Sequence, residues 1–402
     1  MHDTSLIFTL TGGLASALLC GYVTQRLGLS PLAGYLLGGL LVGPHTPGFV
    51  ADRTAAEQLA EVGVILLMFG VGLQFHLKDL LRVRGVALPG ALAQIAAATS
   101  LGALVGRAVG WAWPAALVFG VALSVASTVV LVRVLADHRD LHTPTGHIAV
   151  GWLVVEDLFT VVALVLLPVL VSGAAEPGGL IGALALLAVK AAAVLAAVVV
   201  AGRRAIPALL DRVAATGSRE LFTLAVLALA LGIAVGAALL GDISMALGAF
   251  VAGIVVGRSE YGLRAASEAL PMRDAFSVLF FVSVGMLLDP AHLVRSPALI
   301  GATLAVIMLG KPLAALAIVR LLRYPPRVAL GVAVALAQIG EFSFLLARLG
   351  ERLGVLETAA TQTLVAASLI SIVLNPLLYR ALGPMETWIA RRPRLNALLT
   401  PP

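Results

Sequence analysis

Residues 151–168 read GWLVVEDLFTVVALVLLP, and only Glu156 and Asp157 in this run carry charge. An ionised acid at the centre of a membrane helix costs about 2.5–3.5 kcal/mol on insertion scales. Two such acids must answer that cost through function or through partners. Consecutive helical positions point about 100° apart, so both can border one cavity without sharing a direction. Neighbouring carboxylates repel and titrate as a coupled pair. A carboxylate able to hold either a proton or a cation is the chemistry an ion exchanger needs, which makes Asp157 and Glu156 candidate ion- and proton-binding residues. The plainer reading of the same residues is a structural pair satisfied by a basic neighbour.

Lys311 is that candidate neighbour, a charge-balancing cation within IMLGKPLAALAIV. A lysine buried in apolar surroundings needs an anionic partner, and Pro312 beside it removes a backbone donor and weakens the helix. Two further runs interrupt apolar spans with polar or small residues: SVASTVV at 124–130 and ALAQIGEFSF at 335–344. Such runs predict locally unwound helices whose freed carbonyls and half-helix ends can coordinate a cation. Ser127, Thr128, Gln338 and Glu341 are the candidates there, with ordinary interhelical hydrogen bonding as the alternative for the hydroxyls. Glu61 reads as a residue near a span end, Lys190 as one that snorkels, and His142 and His147 as solvated loop histidines. The sequence has no zinc-type ligand cluster, no catalytic-triad spacing and no GxGxxG placed after a strand, so neither an enzyme nor a cofactor is expected.

These residues must be positioned by membrane helices. Of 402 residues, 60% are hydrophobic and 12% are charged, against roughly 25% charged in soluble domains. The fold class is all-α and polytopic. About thirteen spans are expected, near 5–24, 31–43, 57–74, 86–109, 112–135, 147–171, 179–201, 220–240, 243–257, 275–288, 297–319, 327–349 and 359–382. The second and ninth are short and glycine-rich. The first run lacks a basic leader region, so it is read as a retained helix. Cys20 is the single cysteine, and no intramolecular disulfide can form. Connections after odd-numbered spans, with the C-terminal tail, hold twenty Lys and Arg; the opposite side holds five. That bias places the N-terminus outside and the C-terminus in the cytoplasm. It also gives the net charge of +6 a membrane explanation rather than a nucleic-acid one.

The chain repeats itself. AGYLLGGLLVG (33–43) answers LGAFVAGIVVG (247–257), LLMFGVGL (66–73) answers LFFVSVGM (279–286), and LVFGVA (117–122) answers VALGVA (328–333), at offsets of 211 to 214. Spans 1–6 and 8–13 are thus two copies, and span 7 between them inverts the second. Inverted repeats mark secondary transporters, with ion sites near the midplane.

ALAQIGEFSFLLARLG (335–350), GWLVVEDLFTVVALVLLP (151–168), LAEVGVILLMFGVGLQF (59–75) and LGKPLAA (309–315) resemble the monovalent cation:proton antiporter-2 family. The likeness is strongest to its Kef-type and YbaL-like potassium efflux members and covers the chain to about residue 390. It implies an Nha-type fold with inverted repeats and two crossing discontinuous helices, spans 5 and 12. It also implies a domain order: 1–85 and 220–296 as scaffold and dimerisation helices, 86–172 and 297–384 as core transport helices, 173–219 as linker, and 385–402 as cytoplasmic tail. Asp157 takes the position of the family's essential ion- and proton-binding aspartate, and so of its monovalent metal cation ligand. Lys311 takes that of the basic residue paired with the aspartate. Kef-type members continue into a nucleotide-binding regulatory domain. Here METWIARRPRLNALL reads instead as a basic amphipathic segment on the membrane surface, and no such domain is expected within this chain. The acidic Glu156–Asp157 pair also departs from the Gln-Asp pair of the glutathione-gated members.

The expected function is elevator-like exchange of a monovalent cation, potassium first and sodium next, for protons across the cytoplasmic membrane. The expected partners are those ions, membrane lipid and a second copy in a homodimer. A gated potassium channel, a sodium-coupled organic-anion symporter and a membrane sensor are the alternatives.

Overall fold

The computed structural model describes residues 5–47, 50–74, 77–172, 205–241 and 245–384, with single positions at 182, 185, 189 and 386. Apart from those single positions, span 7 with Lys190 lies outside the described residues, as do the Arg203–Arg204 pair and the tail beyond 386. So do the side chains of Lys78, Arg82 and Arg84.

Every regular element among the described residues is helical. In chain order they are α1 (Ser5–Arg26), α2 (Pro31–Leu41), α3 (Arg53–Gln74), α4 (Leu77–Ala108), α5 (Trp113–Ser124), α6 (Thr128–Asp137) and α7 (Pro144–Ser172). A helical stretch at 205–215 follows. Then come α8 (Arg219–Gly241), α9 (Met245–Gly257), α10 (Gly262–Gly285), α11 (Pro290–Arg295), α12 (Pro297–Ala305), a π-turn (Val306–Gly310), α13 (Lys311–Leu321), α14 (Pro326–Ala335), α15 (Glu341–Arg352) and α16 (Thr358–Arg380). Eight helical segments among them are long and apolar enough to cross a membrane, counting α5 with α6 and α12 with α13 as one each. The polarity is inside out relative to a soluble domain. Leu18, Leu104, Leu224, Leu239 and Leu321 face outward, while Glu156, Lys311, Gln338 and Asn375 have no exposed surface. That is the arrangement lipid demands, with polar groups turned to the protein interior.

The expected span 10, near 275–288, is longer than its apolar stretch suggests. Arg264, Glu268, Arg273 and Asp274 read as connection residues, yet the helix starts at Gly262. The charges are accommodated locally. Arg219 Nε donates to Glu268 at 2.8 Å, the Thr223 hydroxyl donates to the same carboxylate at 2.9 Å, and Arg273 pairs with Asp274 at 2.7 Å.

The chain divides into two compact units. The first comprises Met1–Leu19, Tyr35–His76 and Val165–Met286. The second comprises Cys20–Gly34, Leu77–Leu164 and Leu287–Pro402. Each draws on both copies of the repeat.

In the first unit, glycines let backbones touch. A Cβ added to Gly39 on α2 would lie 2.1 Å from the Val282 carbonyl of α10, and one on Gly72 of α3 would lie 2.2 Å from the Phe250 carbonyl of α9. In the repeat, Gly39 answers Gly253 and Gly72 answers Gly285. The α2–α10 and α9–α3 contacts are therefore one contact made twice, as a two-fold relation between the copies requires.

In the second unit both expected breaks are present. Val125–Ser127 separate α5 from α6, and Leu336–Gly340 separate α14 from α15. Their boundaries, 124 with 335 and 128 with 341, keep the repeat's offset. Pro312 explains a third irregularity. It has no N–H to continue the ladder, and the turn before it widens so that the Lys311 N–H reaches back five residues to the Val306 carbonyl. Such π-turns cluster at functional sites.

Candidate functional site

The two breaks cross in direct contact. Gly340 N–H donates to the Val125 carbonyl at 3.1 Å. A Cβ on Gly340 would stand 2.5 Å from the Ala126 carbonyl oxygen, so only glycine permits the crossing. Four half-helix ends converge here: the C-termini of α5 and α14 and the N-termini of α6 and α15.

An unwound backbone in a membrane must have its polar groups satisfied by protein, and here named side chains do so. The Ser127 N–H donates to Gln338 Oε1 at 2.8 Å, and Gln338 Nε2 donates back to the Ser127 carbonyl at 3.1 Å. Gln338 thus clamps the Ser127 peptide from both sides, and its amide is committed to the crossing. The Ala126 N–H donates to Glu156 Oε2 at 2.8 Å. Lys311 Nζ donates to the Gln338 carbonyl at 3.1 Å. Glu156 therefore holds one break and Lys311 the other.

The adjacent acids separate as their 100° offset predicts. Glu156, with no exposed surface, turns to the Ala126 backbone. Asp157 is half-buried and turns to the first residue of α6, where Thr128 Oγ1 donates to its Oδ2 at 3.2 Å. Glu341, the first residue of α15, accepts from the Ser127 hydroxyl at 3.1 Å. Both of these carboxylates sit at half-helix N-termini, whose partial positive charge favours anions. Among the described residues, Glu156 Oε1 and Asp157 Oδ1 are buried oxygens without a hydrogen-bond partner. Lys311 acts electrostatically on Glu156, while the charges acting on Asp157 are Glu341 and then Glu156.

All seven sequence candidates, Ser127, Thr128, Glu156, Asp157, Lys311, Gln338 and Glu341, meet at this crossing. Glu61 belongs to the other unit. His142 and His147 are exposed.

Three residues of the crossing escaped sequence reasoning. Gln94 of α4 is fully buried; its Nε2 donates to the Ser124 carbonyl at the end of α5 (3.2 Å), and its Oε1 accepts from Trp152 Nε1 (3.3 Å). Trp152 stands one turn before Glu156, and its ring fits because a Cβ on Gly90 would lie only 2.4 Å away. Asn375 of α16 donates to the Val334 carbonyl at the end of α14 (2.6 Å). A buried amide thus caps each first half-helix. The available signal was a lone amide in an apolar run, which usually reads as interhelical glue.

Against known proteins, the family described as sodium/hydrogen exchanger, transmembrane, matches residues 14–382. The chain belongs to the sodium/hydrogen exchanger family. Such exchangers are transporters, and the chain is an integral membrane protein. Within the family's reach, it is 52% identical to a protein of Escherichia coli (strain K12) named for cation/proton antiport, YbaL, over 98% of this chain and 71% of that one. It is 31% identical to the glutathione-regulated potassium-efflux system protein KefC of Salmonella heidelberg (strain SL476), over 93% of this chain and 60% of that one. The solved structure of the sodium proton antiporter MjNhaP1 from Methanocaldococcus jannaschii matches with a TM-score of 0.71 at 16% identity, covering 96% of this chain and 98% of that one. That likeness establishes the exchanger fold.

Proposed function

We propose that the protein exchanges a monovalent cation, potassium first and sodium next, for protons across the cytoplasmic membrane. The observation that carries this reading is Asp157 itself. It is half-buried, accepts from one hydroxyl at the crossing of two broken helices, and has a buried oxygen, Oδ1, without a hydrogen-bond partner among the described residues. An unsatisfied buried carboxylate oxygen suits an exchangeable proton or cation. The names borne by the relatives, cation/proton antiport and potassium efflux, support the cation class.

In this reading the second unit, carrying the crossing, is the transport core that moves in an elevator-like cycle. The first unit is the scaffold, and it pairs with a second copy in a homodimer. The excess of arginines on one side supports a cytoplasmic C-terminus and an external N-terminus. The transported ions are the only ligands the cycle requires.

Everted vesicles or proteoliposomes test the reading. Added potassium or sodium should dissipate an imposed pH gradient, and Asp157→Asn should abolish the response. Full activity in that variant would sink it. Conduction without proton coupling would point to a channel, and uptake of an organic anion to a symporter.

A further inference from the structure

We propose that Gln338 is a positioning residue of the exchange site. Its side-chain amide stands in for its own backbone carbonyl in joining the two breaks. It thereby holds Ser127 and Thr128 in place and releases that carbonyl to Lys311. This rests on the antiport reading and assigns a role within that same site.

The repeat dictates what a symmetric crossing would contain. Helices α6 and α15 begin at Thr128 and Glu341, so at this point Ser127 answers Gly340 and Val125 answers Gln338. The matched pair Ser127 and Gly340 meets at the crossing, where a Cβ on Gly340 would stand 3.0 Å from the Ser127 nitrogen. Equivalent residues meet in this way beside a two-fold axis. One crossing bond runs from the Gly340 N–H to the Val125 carbonyl at 3.1 Å. Its two-fold mate would run from the Ser127 N–H to the Gln338 backbone carbonyl.

That mate is replaced. The Ser127 N–H donates instead to the Gln338 side-chain oxygen, Oε1, at 2.8 Å. The Gln338 backbone carbonyl accepts from Lys311 Nζ at 3.1 Å. Val125 has no polar side chain, so only the second copy can make this substitution. The first copy also has no lysine to receive a freed carbonyl: residues 97–100, which the repeat offsets match to Lys311, read AATS. Gln338 is thus the point at which the lysine is tied to the crossing.

The amide does more than a backbone carbonyl could. Its Nε2 also donates to the Ser127 carbonyl at 3.1 Å, so both peptide groups of Ser127 are held. Gln338 has no exposed surface, so bulk water does not compete for these bonds. Ser127 is the N-cap of α6, its hydroxyl accepting from the Val130 N–H at 3.3 Å. The next residue, Thr128, donates to Asp157 at 3.2 Å. Fixing the Ser127 peptides therefore fixes the hydroxyl that Asp157 uses. An apolar side chain at 338 would take both bonds from the Ser127 peptides in a dry interior, and Thr128 would lose its register against Asp157.

Potassium- or sodium-dependent proton exchange in proteoliposomes, measured at one acidic pH over a range of cation concentrations, supplies the test. Each variant is first checked for a monodisperse detergent extract. Gln338→Met keeps the length of the side chain and removes both bonds to Ser127, so the cation KM should rise about tenfold. A role in folding alone would lower the maximal rate through the amount of active protein and leave the KM unchanged. Gln338→Glu, whose protonated carboxyl accepts and donates as the amide does, should hold the KM within a few-fold of wild type. A wild-type KM in Gln338→Met, or a Gln338→Glu as impaired as Gln338→Met, overturns the proposal. Should Gln338→Met fail to extract intact, Gln338→Asn, a methylene short of Ser127, takes its place, and a wild-type KM there overturns the proposal equally. Absence of monovalent cation exchange in the wild type overturns the antiport reading itself, and this role with it.

Discussion

Gly340→Ala tests whether the crossing geometry, rather than the mere presence of its residues, supports exchange. Gly340 has φ −96° and ψ 170°, a conformation alanine adopts freely, so backbone strain is not at issue. The obstacle is the new methyl. It would lie 2.5 Å from the Ala126 carbonyl oxygen, 2.8 Å from its carbonyl carbon and 3.0 Å from the Ser127 nitrogen. All three are backbone atoms and none can swing aside. Restoring ordinary contact requires the breaks to part by about 1 Å, given carbon contacts near 3.5–4.0 Å. The Gly340–Val125 bond, now 3.1 Å, would then stretch past its limit, and Asp157 and Glu341 would shift against each other. Overpacking of this size costs about 1–3 kcal/mol, which a helical membrane protein survives. A misplacement of about 1 Å costs on the order of 100-fold in rate. The expected result is folded protein whose exchange in proteoliposomes is reduced about 100-fold. Near-wild-type exchange in a variant with unchanged thermal stability would refute the claim that the backbone crossing sets the site.

Further expectations follow from the surrounding contacts. Gln94→Leu should lower the exchange rate more than it alters the cation KM, because it uncaps Ser124 and frees Trp152 without touching Asp157; steady-state kinetics at several cation concentrations checks this. Asp157→Asn should retain a wild-type melting profile while losing all exchange, separating its role from packing. Outside the membrane spans, burial holds the His292 imidazole below its ordinary value of 6.5, with Arg295 acting the same way and Asp289 opposing. The folded state then binds fewer protons than the unfolded one, so stability declines as pH drops through and below that value. Melting in detergent from about pH 7 to about pH 5 should show the decline, and His292→Gln should flatten it.

Much of the architecture follows from local rules visible in the chain. Apolar length and arginine placement give the spans, because lipid admits few other solutions. The breaks were legible as well. SVASTVV and ALAQIGEFSF interrupt apolar runs with groups that helices in lipid otherwise avoid, and Pro312 announced the irregular turn before Lys311. The candidate acids stood out because an acid in an apolar run is costly wherever it points. What each acid does was not legible. Glu156 and Asp157 are neighbours of the same charge, and which one meets a backbone N–H and which a hydroxyl depends on the rotation of α7. That rotation is set by packing, including the Trp152 ring seated over Gly90. The same holds for Lys311: its residue type offered it to the acidic pair as a whole and the resemblance paired it with Asp157, whereas in the folded chain it donates to the Gln338 carbonyl and acts on Glu156. Gln94 and Asn375 went unnoticed for a related reason. A lone amide in a helix gains meaning only from the carbonyl it reaches on another helix, and such distances arise from the packing of the whole chain.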